Sequence, residues 1–147
     1  MNREFTYCVE LVEQEEGGFL VRFPDFPEAI TQGDSVENTL LEAADCLEEA
    51  VANRMAEKLD IPLAVSVRRA YRVSLSATLA AKAALYLAMR AIRLSNVGLA
   101  ERLGCDEKEV RRLLDPYYQS KIPRIESALH VLGQRLEIQV RRDQRYR

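Results

Sequence analysis

The stretch SNVGLAERLGCDEKEVRRLLDP, residues 95–116, reads as two short helices joined by a tight turn. Leu99, Ala100 and Leu103 recur at helical spacing, and Gly104 then breaks the pattern. Asp106 suits the cap of a second helix. Glu107 and Glu109 fall in its first turn, where carboxylates meet the positive end of the helix dipole. Val110, Leu113 and Leu114 supply an apolar face. Asp115-Pro116 stops the helix, because the residue before proline avoids the helical region. This is the pattern of a helix-turn-helix, whose second helix can enter a DNA major groove. The plainer alternative is a helical hairpin in a core; the small Ala100 and the turn Gly104 favour the specific reading.

The spacing resembles helix-turn-helix domains of phage-repressor type, and the resemblance fixes candidate DNA contacts. Asn96 begins the first helix, at the polar position that often binds phosphate in such motifs, and the helix amides there also face an anion. Glu107, Lys108, Arg111 and Arg112 lie away from the Val110–Leu113 face and are candidates for the groove. Arg112 or Lys108 can pair with guanine, and Glu107 can accept from cytosine. Related motifs usually carry uncharged polar residues where this chain has Glu107 and Glu109, and carboxylates near phosphates cost affinity. Arg111 and Arg112 also fit a solvated face paired to those glutamates at helical spacing. Pro116-Tyr117-Tyr118 opens a loop containing Lys121 and Arg124, which are candidate phosphate contacts.

Working outward, the 147 residues allow one ordinary domain or two small ones. Hydrophobic content of 48% with 30% charged residues describes a soluble, foldable chain. No stretch approaches the roughly 20 apolar residues of a membrane helix. The start, MNREFTYCVE, is charged and strand-like rather than a signal peptide, so a cytoplasmic protein without a membrane partner is expected. Cys8, Cys46 and Cys105 are odd in number and far apart, with no CxxC pair and His130 as the only histidine. That argues against a disulfide framework and a structural zinc site, and favours three packed thiols in a reducing compartment. No metal, cofactor or catalytic residue is expected.

The net charge of −2 hides a division. Residues 1–75 hold 7 basic and 15 acidic side chains, giving −8; residues 76–147 hold 14 and 8, giving +6. Two partners of opposite charge would suit such a chain, nucleic acid for the basic half and a basic protein for the acidic half. Solvated charges that fell unevenly would give the same counts.

Towards the N-terminus, Phe5, Tyr7, Val9 and Leu11 alternate with polar residues as a strand. Glu15-Glu16-Gly17-Gly18 turns the chain, and Phe19, Val21 and Phe23 form a second strand. Pro24-Asp25-Phe26-Pro27 reads as a connection or an edge. Ala29 to Gln32 is a short third strand, and Asp34 or Ser35 caps the next helix. Val36, Leu40, Ala43, Ala44, Leu47 and Val51 mark one stripe of an amphipathic helix from Ser35 to about Lys58, ended at Asp60-Ile61-Pro62. Ala70 to Leu75 reads as a returning strand, giving β-β-β-α-β. A helix follows over 77–93, with Ala81, Leu85, Ala88 and Ile92 on one face. After the helix-turn-helix, Pro123 opens a last helix lined by Ile125, Ala128, Leu129 and Leu132 and ended by Gly133. His130 on it suits surface packing. Leu136 to Val140 alternates as a final strand in need of a partner. The tail RRDQRYR touches DNA or stays mobile.

Residues 17–50, GGFLVRFPDFPEAITQGDSVENTLLEAADCLEEA, resemble the N-terminal domain of HicB antitoxins. The shared pattern is Gly-Gly-Phe, Phe-Pro-Asp-Phe-Pro-Glu-Ala, Thr-Gln-Gly-Asp, then a helix rich in Ala and Glu. The helix around Lys82, the Leu99–Leu114 motif and the closing Leu-Gly with its strand resemble the helix-turn-helix branch of the same family. The resemblance implies an α+β fold: a partial ribonuclease-H-like domain without a working active site over 1–75, and a helix-turn-helix DNA-binding and dimerisation domain over 76–147. It implies binding to a small basic RNA-cleaving toxin, HicA, and repression of the operon encoding both. Asp25 and Glu28 beside Phe23 and Phe26 are candidate toxin contacts, with Phe23 equally suited to the core. Leu136, Ile138 and Val140 are candidates for dimerisation, since this strand pairs between subunits in the family.

Three functions follow. The first is an antitoxin and autorepressor acting as a homodimer or larger oligomer on double-stranded operator DNA. The second is an orphan regulator with the same fold and no toxin. The third is a metal-dependent nuclease, which needs carboxylates gathered around metal ions; Asp25, Asp34 and Asp45 have no spacing that marks them as ligands.

Overall fold

In the computed structural model, which describes residues 2–65 and 71–142, the period-two alternation near the N-terminus becomes an antiparallel sheet. Strands β1 (Thr6–Glu13), β2 (Phe19–Phe23), β3 (Phe26–Gly33) and β4 (Tyr71–Ser74) lie in the order β3-β2-β1-β4. Leu11 stands opposite Val21, which stands opposite Thr31, and Tyr7 stands opposite Val73. Helix α1 (Val36–Ala56) covers one face. The fold is α+β, an N-terminal antiparallel sheet with five helices. The chain divides into two units. One runs to Glu57 and takes in Pro62–Leu75; the other comprises Lys58–Ile61 and Ser76–Gln139.

The first unit is closed by side chains that the alternation selected. Tyr7, Val9, Val21, Phe23, Phe26 and Ala29 from the sheet, and Leu40, Ala43, Leu47, Val51 and Met55 from α1, are all buried. Full burial of each larger apolar side chain contributes about 1.5–3 kcal/mol. Ser35, rather than Asp34, caps α1: its hydroxyl accepts from the Asn38 amide at 3.1 Å. The helix stops before Asp60-Ile61-Pro62, because Lys58 adopts a left-handed φ of 60°.

Two features differ from the sequence expectation. The third strand begins at Phe26, so Pro27 lies within it; β3 is an edge strand, where a missing amide costs no ladder bond. Cys8 breaks the alternation of β1, being buried between buried Tyr7 and Val9. Its thiol donates to the Val65 carbonyl at 3.1 Å, so the segment after α1 covers the second face at that point. The expected return strand at Ala70–Leu75 is present over Tyr71–Ser74, and Ala70 lies outside the described residues.

The second unit is helical: α2 (Ala77–Ala91), α3 (Asn96–Leu103), α4 (Glu107–Leu114) and α5 (Ile122–Val131). Its core gathers Ala81, Leu85 and Met89 with Leu99, Ala100, Val110, Leu113, Ile125, Ala128 and Leu129. Ile92, expected on the inner face of α2, is 54% exposed and Met89 fills that place. The helix has ended by then, and Arg93 turns the chain with a φ of 52°. Lys58–Ile61 packs here rather than with the sheet: the Tyr86 hydroxyl donates to the Leu59 carbonyl and Arg90 to that of Lys58. Residues 134–142 form no strand, because a ladder needs a second strand and none of the described residues supplies it. The tail beyond 142 lies outside the described residues. Among the described residues no helix is long and apolar enough to cross a membrane.

Candidate functional site

Helices α3 and α4 are built by their caps. The Ser95 hydroxyl accepts from the Gly98 amide at 3.0 Å, and the Asp106 carboxylate from the Glu109 amide at 2.9 Å. Between them Gly104 takes a φ of 68°, a left-handed conformation that costs glycine nothing and other residues energy. The amide of Cys105 donates back to the Ala100 carbonyl at 3.0 Å, closing α3. A three-residue link, Gly104, Cys105 and the cap Asp106, thus joins α3 to α4.

On α4 the two faces separate cleanly. Val110 is fully buried and Leu113 is 2% exposed, whereas Glu107, Lys108, Arg111 and Arg112 are all exposed. Asn96 is half-buried at the first position of α3, and Lys121 is exposed at the cap position of α5. Arg124 is half-buried near the start of α5. Its guanidinium is ion-paired to Glu109, which holds α5 against α4 and neutralises one of the two carboxylates near the outward face. Neither Arg111 nor Arg112 takes Glu109 by helical spacing; its partner is fifteen residues further along the chain.

The end of α4 is organised by Lys82. This side chain is fully buried, and its ammonium donates to the carbonyls of Arg112 (2.9 Å), Asp115 (2.7 Å) and Tyr118 (2.7 Å) and to the Ser120 hydroxyl (2.9 Å). The last carbonyls of a helix have no partner within it, so a cation there satisfies both hydrogen bonding and the dipole. Burial pulls the Lys82 pKa below the ordinary lysine value, and the Asp115 carboxylate opposes that shift. Sequence reading passed over this role. The signal was available: Leu79, Lys82, Tyr86 and Met89 follow one another at helical spacing, and all four are buried.

In the first unit two of the four expected toxin contacts, Phe23 and Phe26, are buried, whereas Asp25 is half-buried and Glu28 is exposed. Phe23 is 3% exposed and Phe26 fully buried, so these rings belong to the core and offer no surface. Phe26 packs edge-on against Tyr7, with ring centres 4.9 Å apart, and the Arg54 guanidinium lies 4.8 Å from its centre. Glu28 is gripped by Arg54 through two bonds of 2.6 and 2.8 Å, and this pairing holds its carboxyl below the usual glutamate range. Asp25 accepts from the Val65 amide at 3.2 Å and so secures the segment leaving α1. On α1, Glu37, Glu42, Asp45 and Glu49 are exposed around Leu41, itself 51% exposed. Of the proposed dimer residues, Leu136 is half-buried, and Ile138 and Val140 are 68% and 92% exposed. Among the described residues no three His, Cys, Asp or Glu side chains gather as metal ligands. Asp34, Asp45 and Asp25 lie respectively before the cap of α1, on its outer face and in the β2–β3 turn.

Comparison with known proteins bears on all of these surfaces. Residues 6–84, which span the sheet, α1 and α2 as far as Lys82 and beyond, match the HicB-like antitoxins of bacterial toxin–antitoxin systems. The chain belongs to the HicB-like antitoxin family. It is 36% identical over 138 residues to Antitoxin HicB 2 of Photorhabdus laumondii subsp. laumondii, covering 94% of this chain and 98% of that one. It is 32% identical to Antitoxin HicB of Pseudomonas fluorescens over 92% of this chain and 94% of that one. It is 30% identical to Antitoxin HicB of Escherichia coli K12 over 90% and 96%. Similarity to the HicB antitoxins therefore runs through α3 and α4 as well as the sheet.

Proposed function

We propose that this HicB-like chain is a non-enzymatic cytoplasmic antitoxin with two jobs. It binds and neutralises a small basic RNA-cleaving toxin of the HicA kind, and it represses its own operon by binding double-stranded DNA. The first job rests on family membership and on the charge of the first 75 residues, −8, with Glu37, Glu42, Asp45 and Glu49 facing outward. A cationic nuclease surface is attracted to such a face and is denied RNA while held there. The sheet and α1 serve in this reading as a partial ribonuclease-H-like domain without catalysis.

The second job is carried by one observation: α4 seals Val110 and Leu113 inside while turning Lys108, Arg111 and Arg112 out. In this reading α3 and α4 form a helix-turn-helix, and α4 is the recognition helix. The Glu109–Arg124 pair supports it, because it leaves Glu107 as the unneutralised acid of that first turn, placed to meet a cytosine amine. Paired segments 136–140 of two subunits would shield Ile138 and Val140 and set two α4 helices about one DNA turn apart.

The test is an RNA-cleavage assay with the product of the neighbouring short, basic reading frame. Stoichiometric chain suppresses cleavage. Cleavage that continues at molar excess, or the absence of such a reading frame, overturns the antitoxin reading and leaves an orphan regulator.

A further inference from the structure

The Lys82 ammonium has more to do than fill a core. A buried cation costs desolvation energy, which a leucine in its place would avoid. Its four acceptors come from two places: the end of α4 (Arg112 and Asp115) and the loop after it (Tyr118 and Ser120). The loop carries Tyr117, 76% exposed, and leads into exposed Lys121. Two cations lie over the Tyr118 ring, the Lys82 nitrogen 5.8 Å and the Arg112 guanidinium carbon 5.3 Å from its centre. The loop has only local bonds of its own, such as the Tyr117 amide to the Asp115 carboxylate at 2.9 Å and the Ser120 amide to the Tyr118 carbonyl at 3.0 Å. The ammonium ties these turns to α2.

We propose that Lys82 is a positioning residue for DNA binding: it locks the end of α4 and the loop 115–121 together, so that Arg111, Arg112, Tyr117 and Lys121 meet the phosphate backbone as one surface. The inference rests on the DNA-binding reading above. Lys82 has no exposed surface and touches no DNA, so it acts wholly through those residues.

The experiment measures binding of the full chain to a duplex from upstream of its own gene, across a salt series, at a temperature where each variant is fully folded. Hydrogen exchange of the amides of 115–121 is followed in parallel. Lys82→Met keeps length and removes the donor. It is expected to weaken binding about tenfold and to make the slope of log affinity against log salt shallower by one to two, as phosphate contacts are lost. Exchange in the loop accelerates while that of α3 is unchanged. Ser120→Ala removes one acceptor and shifts affinity about two- to threefold in the same direction, roughly a third to a half of the Lys82 effect on a logarithmic scale. A folded Lys82→Met with wild-type affinity and slope overturns the proposal, as does weaker binding with an unchanged slope, which a merely structural role would give. If Lys82→Met does not fold, Ser120→Ala decides: wild-type binding and loop exchange overturn the proposal. A wild-type chain that binds no duplex overturns the DNA-binding reading itself, and this proposal with it.

Discussion

At the scale of single residues, the chemistry of this chain lies in polar groups that sequence pattern does not assign. Glu28 and Asp25 are engaged near the surface by Arg54 and the Val65 amide, and Lys82 binds inward from an alanine-rich helix. Spacing located the Phe23–Glu28 segment but could not say that Arg54, 26 residues away, would claim Glu28. Tyr7 offers a direct check on this kind of internal bonding. Its hydroxyl donates to the Pro62 carbonyl at 2.9 Å. Burial, with the Asp25 charge adding to it and Arg3 and Arg54 opposing, pushes its pKa up to about 12. The folded value is above the unfolded one of about 10, so the fold favours the neutral phenol. Its contribution is therefore complete below pH ~10 and is lost as pH climbs towards 12, about 3 kcal/mol in all. Denaturant unfolding across that range is expected to show the decline in the wild type and a flatter profile in Tyr7→Phe. Parallel profiles would contradict the assignment.

At the scale of elements, most of the fold was legible. The caps Ser35, Ser95 and Asp106, the alternation of β1 and β2, and the stop at Asp115-Pro116 all work locally, where sequence has the most to say. What was not legible involves contacts between elements: the wrap that buries Cys8, the early end of α2 that exposes Ile92, and the reach of Glu109 to Arg124. The close meeting of β3 and α1 is another. A β-carbon on Gly33 would sit 2.6 Å from the Thr39 α-carbon and 2.4 Å from its hydroxyl, so glycine is needed for space rather than for a turn. Gly33→Ala is expected to lower stability by about 1–3 kcal/mol in urea titration, because helix backbone must move. An unchanged midpoint would mean that β3 and α1 part more easily than this packing implies.

At the scale of the whole molecule, the division between a −8 and a +6 half was visible from counting, and the HicB-like family gives it a meaning. Counting did not locate the charges. Exposed acids stand on α1 and also on β1 and the turn after it, Asp25 and Glu28 are engaged by the Val65 amide and Arg54, and on α4 the cations outnumber the one unpaired acid of its first turn. The central claim is that separate surfaces serve the toxin and the operator. The most direct measurement takes one preparation of the double variant Arg111→Ala/Arg112→Ala and reads operator affinity across salt together with inhibition of RNA cleavage by the toxin. The account predicts affinity at least about tenfold weaker, a salt slope shallower by about two, and toxin inhibition equal to wild type. Loss of both activities together, or undiminished operator binding, would contradict it.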